Sequence, residues 1–331
     1  MSSPIRIVTI GGGSGQYVLL TGLRDLPEVE VTSVVSMVDS GGSTGRLRGE
    51  FGILPPGDLL KCVLALSPHQ EIVPSILLRR FAKTPRLQGH NAGNLLLTML
   101  SRYTGSFTAG IQALCEILDV RGSILPVTVD EATLVAELTD GTRIFGESAI
   151  DVPRGNPREK IRDVFLVPHH TGSVRVHPPV LDAVDAADLL VLGPGDLFTS
   201  LLPNLVVPGV AEALRRARAP LVYILNIMTK YGETNGFAAR QFVEELESAM
   251  GRPVDAVIAN TGEPAPEVVA RYRDQKAEVV RVDPAEPAWR DRRLVPADLL
   301  DDSGGALRHH PGRLAGLVRS LAEDLPGRRP A

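Results

Sequence analysis

Four polar or glycine-rich stretches hold the groups that chemistry would need. The first is Gly11-Gly12-Gly13-Ser14-Gly15, which follows the apolar run Ile5 to Ile10. Glycines let a backbone approach a bulky anion, and a helix that starts beyond them aims its N–H groups at it. A tight structural turn would use the same residues. The dinucleotide fingerprint is incomplete, because Gln16 stands at its last glycine; this argues against an NAD-dependent dehydrogenase. The second stretch runs from Asp39 to Arg48. Asp39 sits where a nucleotide-binding sheet often keeps an acid for a ribose hydroxyl. Gly41, Gly42, Ser43, Thr44 and Gly45 suit a second anion nest in a loop, and Arg46 and Arg48 suit pairing with phosphate. A solvated loop with surface ion pairs is the alternative. No lysine follows at P-loop spacing.

The third stretch is a pair, Pro55–Lys61 and Gly89–Asn94. Asp58 suits the first turn of a helix, with Lys61 one turn on. His90 lies between Gly89 and Asn91, with Asn94 beside it. A lone histidine is more often structural than catalytic, and no second His or Cys stands at zinc spacing. The fourth combines Gly193, Gly195, Thr199, Ser200 and Asn204 with Asn226, Thr229, Glu233 and Thr234. Such a cluster can orient a sugar or an acceptor hydroxyl; capping and turn chemistry explains its members singly. The pairs His169-His170 and His309-His310 read as surface loops.

These stretches need strand ends to hold them. Ile5–Ile10, Val29–Val38, Leu189–Leu192, Leu221–Leu225, Val254–Asn260 and Ala277–Pro284 read as strands, and their near-continuous Val, Ile and Leu suggest burial on both faces of a parallel sheet. Helical patterns lie between them, over about 16–26, 56–67, 91–103 and 107–118, and a surface helix ends the chain before a frayed Pro326–Ala331 tail. From about Ser123 to Val176 the pattern changes to short alternating strands, with an Asp140-Gly141 hairpin signal and a loop at Arg154–Lys160. The expected fold is α/β: a Rossmann-like doubly wound, mostly parallel sheet in three α/β/α layers, forming one domain over 1–331 with a small antiparallel β-insertion at about 123–176. Ligands in such sheets bind outside the carboxyl ends of the strands.

Composition narrows the partners. The chain has 331 residues, 44% hydrophobic and 22% charged, enough for a sizeable core. A net charge of −4 and 4% aromatics argue against a nucleic-acid surface or a base-stacking platform. The two cysteines, Cys62 and Cys115, read as reduced core residues of a cytoplasmic protein. No leader and no membrane span are expected.

The stretches TIGGGSGQYVLLTGL, DSGGSTGRLR, PPGDLLK, GHNAGN, LPVT, ADLLVLGPGDLFTSLLPNLVV and NIMTKYGET occur together and in this order. In that combination the chain resembles the gluconeogenesis factor family, itself similar in fold to 2-phospho-L-lactate transferases, over roughly Ile5 to Asp283. The resemblance implies a Rossmann-like cytoplasmic protein that binds UDP-sugars and is linked to carbon metabolism and cell shape, with no firmly attached reaction. A small-molecule partner and a homo-oligomer are expected, with no nucleic acid and no membrane span. Magnesium enters only under the alternative, transfer of a phospholactyl group from a nucleotide-linked donor. Ser40, Lys61 and Lys230-Tyr231 depart from the family pattern, and the loss of a second acid at Ser40 weakens a metal role there. The ligand-binding positions the resemblance implies are those of the four stretches, from Gly11 to Thr234.

Overall fold

The computed structural model describes residues 3–83, 86–151, 158–170, 172–301, 306–325 and 327. Twelve strands are present among them: β1 Ile5–Gly11, β2 Val29–Val35, β3 Ser123–Pro126, β4 Ala132–Leu138, β5 Arg143–Phe145, β6 Ile161–Pro168, β7 Leu189–Leu192, β8 Leu221–Ile224, β9 Ala256–Asn260, β10 Arg293–Ala297, β11 Leu300–Asp301 and β12 Arg308–His309. Seven form one sheet in the order β10-β9-β8-β7-β1-β2-β3, and every pairing in it is parallel. Residues of β7 and β8 are wholly buried, as the unbroken apolar runs require of strands covered on both faces. Strand order reverses direction between β1 and β7. At such a switch point the connections leave to opposite sides and open a crevice beyond the strand ends.

The small antiparallel sheet, β5-β4-β6, spans Ala132–Pro168 and starts later than expected. Ser123–Pro126 belongs instead to the main sheet, pairing in parallel with β2. The Arg154–Lys160 loop falls mostly outside the described residues, as does most of the Pro326–Ala331 tail. Two further expectations are corrected. Ala277–Pro284 is not a strand and makes only one bridge, Val279 to Met228. The last strand of the main sheet is β10, whose Pro296 and flanking arginines conceal it in the sequence; proline is tolerated at a sheet edge because no neighbour needs its N–H. The glycine-rich stretch after Asp39 is also not a loop. It forms a helix, Gly42–Phe51, whose Ser43, Thr44 and Leu47 face inward. Gly45 is required there, since a Cβ would lie 2.3 Å from the Ser40 carbonyl oxygen.

The C-terminal helix Pro311–Asp324 lies at the surface with one face buried. Leu314, Ala315, Val318 and Leu321 are buried, and the helix packs against helix Gly13–Arg24. Their contact is close: a Cβ on Gly22 would meet the Pro311 carbonyl oxygen at 2.2 Å. His309, expected at the surface, is 5% exposed.

Candidate functional site

Both loops at the switch point are glycine-rich. β1 ends at Gly11; the chain runs through an extended Gly12 and enters helix Gly13–Arg24 at Gly13, with φ +69. No side chain caps this helix, and its first turn holds no acid. Its free N–H groups and the positive end of its dipole therefore face the crevice. The loop after β7, Gly193-Pro194-Gly195, lies directly against it. A Cβ on Gly15 would sit 2.3 Å from the Pro194 carbonyl oxygen, so that glycine serves close packing of the two loops. Asn204, wholly buried, donates to the carbonyl oxygens of Gly11 (3.1 Å) and Ser200 (2.8 Å), and Asn226 donates to that of Gly195 (2.9 Å). Gln16, the residue that broke the fingerprint, is buried under the helix. Its Nε2 donates to Thr9 Oγ1, Ser33 Oγ and the Val34 carbonyl oxygen, bracing β1 against β2.

Two cavities meet over this loop. One, of about 350 Å³, is walled by Gly12–Gly15, Pro194, Gly195 and Asn226, with Ile227, Met228, Tyr272 and Leu307 as its apolar side. The other, of about 320 Å³, lies towards β2 and is polar: Ser36, Asp39, Asp58, Lys61, Glu147, Asp151, Thr199 and Lys230 line it. Gly13, Ser14, Asp196 and Ser200 belong to both. The helix N-terminus thus divides a half-apolar chamber from a charged one.

In the polar chamber acids outnumber bases. Asp39 accepts from the Gly41 N–H at 2.9 Å, yet burial and then the neighbouring Asp58 raise its pKa. Asp58 pairs with Lys61 at 2.9 Å. Burial, followed by the charges of Asp39 and Asp151, pushes Glu147 up to about 7. At the far wall Lys230 is bonded to Asp151, lies 2.6 Å from Asp196 and 3.3 Å from Glu233. Burial works against its charge, but Glu233, Asp196 and Asp151 outweigh it and hold the ammonium protonated above the usual lysine range. Glu233 is itself raised to about 7, by burial that Lys230 only partly offsets. Its carboxylate accepts from Thr199 Oγ1 (3.0 Å) and the Phe198 N–H (3.2 Å). Magnesium, which the transferase alternative implies, does not fit this set: oxygens of Asp151, Asp196 and Glu233 lie within 4.8 Å of one another, but the Lys230 Nζ already lies among them.

The other expected residues lie elsewhere. Ser43 Oγ is 2.8 Å from His90 Nδ1 and accepts from Asn94 Nδ2 at 3.3 Å, while Asn91 caps helix Ala92–Thr104 by accepting from the Asn94 N–H at 2.7 Å. This buried cluster joins two helices and lines neither cavity. Gly41 and Thr44 hold the Asp39 carboxylate from behind, and Gly42 starts its helix at φ +43. Arg46, on the exposed side of that helix, donates to the Gln88 carbonyl oxygen at 2.6 Å. Arg48 donates to the carbonyl oxygens of Asp39 and Ala132, tying the small sheet to the main one. Thr229 exchanges hydrogen bonds with the Glu278 backbone, and Thr234 accepts from the Lys230 N–H. Sequence reasoning missed Ser36, Glu147, Asp151, Asp196, Lys230 and Tyr272 as cavity residues. Asp196, directly after Gly193-Pro194-Gly195, carried a usable signal; Glu147 and Asp151 carried none, because the small sheet brings them back across more than a hundred residues.

Comparison with known proteins shows the family. Residues 7–300 match the family described as 2-phospho-L-lactate transferase CofD. The chain is 42% identical over 278 residues to the gluconeogenesis factor of Halalkalibacterium halodurans, covering 84% of each chain. It is 35% identical to that of Bacillus subtilis, covering 98% of this chain and all of that one. The chain belongs to the gluconeogenesis factor family, within the CofD family. A crystal structure of a family relative from Bacillus halodurans superposes with a TM-score of 0.89 at 36% identity, covering 96% of this chain and 100% of that one. The fold of the family member is therefore the parallel α/β sheet with its small antiparallel companion. Among the described residues no single helix is long and apolar enough to cross a membrane.

Proposed function

We propose that this gluconeogenesis factor is a cytoplasmic regulatory protein that binds a UDP-sugar across the switch point, in the service of carbon metabolism and cell morphogenesis. One observation carries the reading: two cavities of similar size, one partly apolar and one polar, share the N-terminus of helix Gly13–Arg24. A nucleotide sugar has the matching three parts. The nucleoside suits the chamber with Met228, Tyr272 and Leu307. The diphosphate suits the uncapped N–H groups between the chambers. The sugar suits the polar chamber, where Asp39 and its neighbours accept hydrogen bonds from hydroxyls. A surplus of carboxylates suits hydroxyls far better than it suits phosphate. The nucleophile and general base that a reaction needs are not required by this reading, and binding alone accounts for the constellation.

Magnesium-dependent phosphoryl-group transfer is the second reading. The family description and the acids around Asp39 favour it; the lysine seated among Asp151, Asp196 and Glu233 speaks against it. The deciding measurement is calorimetry with UDP-glucose, UDP, GDP, NAD and a deazaflavin, each with magnesium and with EDTA. Saturable binding of UDP-glucose in EDTA, tighter than UDP alone, supports the proposal. Binding confined to GDP or deazaflavin, or turnover that EDTA abolishes, refutes it.

A further inference from the structure

The three carboxylates at the far wall come from three separate segments. Asp151 ends the short helix Glu147–Asp151, Asp196 follows β7, and Glu233 follows β8. Hard oxygen donors converging in this way, each with an oxygen within 4.8 Å of the others, make the kind of seat that a magnesium or calcium ion takes. Here the seat holds an ammonium. Lys230 has three N–H donors and no acceptor; it is bonded to Asp151, and Asp196 at 2.6 Å and Glu233 at 3.3 Å face its remaining N–H groups. Its backbone is held as firmly: the Lys230 N–H donates to Thr234 Oγ1, and its carbonyl oxygen accepts from the N–H groups of Glu233 and Thr234. Arg158 clamps the two sides together by donating to the carbonyl oxygens of Gly232 and Ile150.

We propose that Lys230 is a built-in substitute for a divalent cation: its ammonium fills the seat of Asp151, Asp196 and Glu233 and offsets their charge beside the diphosphate position, where the acids would otherwise need a metal before an anionic ligand could approach. The ligand half of this statement rests on the nucleotide-sugar reading. Asp196 lines both chambers, so the lysine stands at their junction. A metal ion at the same seat would have to displace the Nζ, because two cations at contact distance repel strongly in a partly dry site. The ammonium offers a fixed charge that needs no metal supply and cannot be chelated away.

Two probes test this. The first is Mn²⁺, titrated into ligand-free protein and followed by electron paramagnetic resonance. The wild type should bind none at this cluster. Lys230→Gln should gain one site, and adding Asp196→Asn should remove it. The second is UDP-glucose. Wild-type affinity should be the same in EDTA and in magnesium; Lys230→Gln should bind about tenfold more weakly in EDTA, because the carboxylates left uncompensated repel the diphosphate, and recover with magnesium. A Mn²⁺ site in the wild type that Asp196→Asn abolishes overturns the proposal, and this comparison stands even where Lys230→Gln fails to fold. A folded Lys230→Gln protein that gains no Mn²⁺ overturns it as well. Failure of UDP-glucose to bind the wild type sinks the nucleotide-sugar reading and the ligand half with it, while the Mn²⁺ titration still judges the seat.

Discussion

Glu147 keeps its carboxylate in surroundings that disfavour the charge. Burial and the nearby Asp39 and Asp151 raise its pKa from 4.5 to about 7. A carboxyl raised on folding contributes stability that is complete below pH 4.5 and is lost as pH climbs through about 7. Glu147→Gln should therefore melt at the same temperature as the wild type at pH 4.5 and several degrees higher at pH 8; equal melting at both would show that the charge is well solvated. Asp39 is raised by the same two causes, burial first and then Asp58. Asp39→Asn is expected to stabilise the protein at pH 8 and, on the nucleotide-sugar reading, to weaken a sugar ligand, as read by paired melting and calorimetry. Gly15→Ala should destabilise the fold. Its Cβ would press on the Pro194 carbonyl oxygen and lower stability by about 1–3 kcal/mol, visible in urea unfolding. Arg46→Ala should leave ligand affinity unchanged, because the guanidinium is occupied on the outer face of helix Gly42–Phe51.

Helix Gly13–Arg24 does two jobs at once. Its N-terminus is left uncapped towards the crevice, and its body is gripped between the sheet and the C-terminal helix. Gly22 makes the grip possible, since any side chain there strikes the Pro311 backbone. Gly22→Val should push helix Pro311–Asp324 off and cost about 2–4 kcal/mol, in the range of overpacked and cavity-forming core changes. Limited proteolysis should then release the C-terminal helix first; unchanged protection of that helix would mean the contact can relax. The π-helical turn Leu197–Leu201 holds the other side of the crevice, with Thr199 and Phe198 anchored on Glu233 and Asn204 reaching back to Gly11. These hydrogen bonds join the ends of β1, β7 and β8 into one rigid rim.

For the molecule as a whole, ligand and proton are the two levers on stability. A ligand present at about 100 times its dissociation constant should add roughly 2.7 kcal/mol, so a UDP-sugar that binds must raise the melting temperature. On the acid side the lever is His309, buried beside the half-apolar chamber, whose pKa falls from 6.5 to about 4 through burial that a backbone hydrogen bond to Leu225 only partly offsets. A histidine depressed on folding contributes stability that is complete above pH 6.5 and is lost as pH falls towards 4, a loss of about 3 kcal/mol over that window. His309→Gln should flatten this acid loss in pH-dependent urea unfolding. A variant with the wild-type slope would assign the acid loss to other groups.

The parallel sheet, its strands β1, β2, β7, β8 and β9 and the two glycine loops were legible along the chain, because unbroken apolar runs and glycine clusters are local signals. The family was legible for the same reason: its motifs are short and contiguous. Helix Gly42–Phe51 was hidden, since glycine-rich sequence reads as loop when Ser40, Asp39 and Gly57 are not seen packing against it. The polar chamber needed the tertiary structure. Asp39 and Asp58 were marked by their places at strand ends, but nothing in periodicity or spacing marks Glu147, Asp151 and Lys230 as facing them. Their meeting follows from the small antiparallel sheet folding back over the strand ends. Whether a carboxylate there carries its charge, and whether a cation seat is filled by a lysine, depends on burial and on distances of a few ångströms. Only the packed chain determines those.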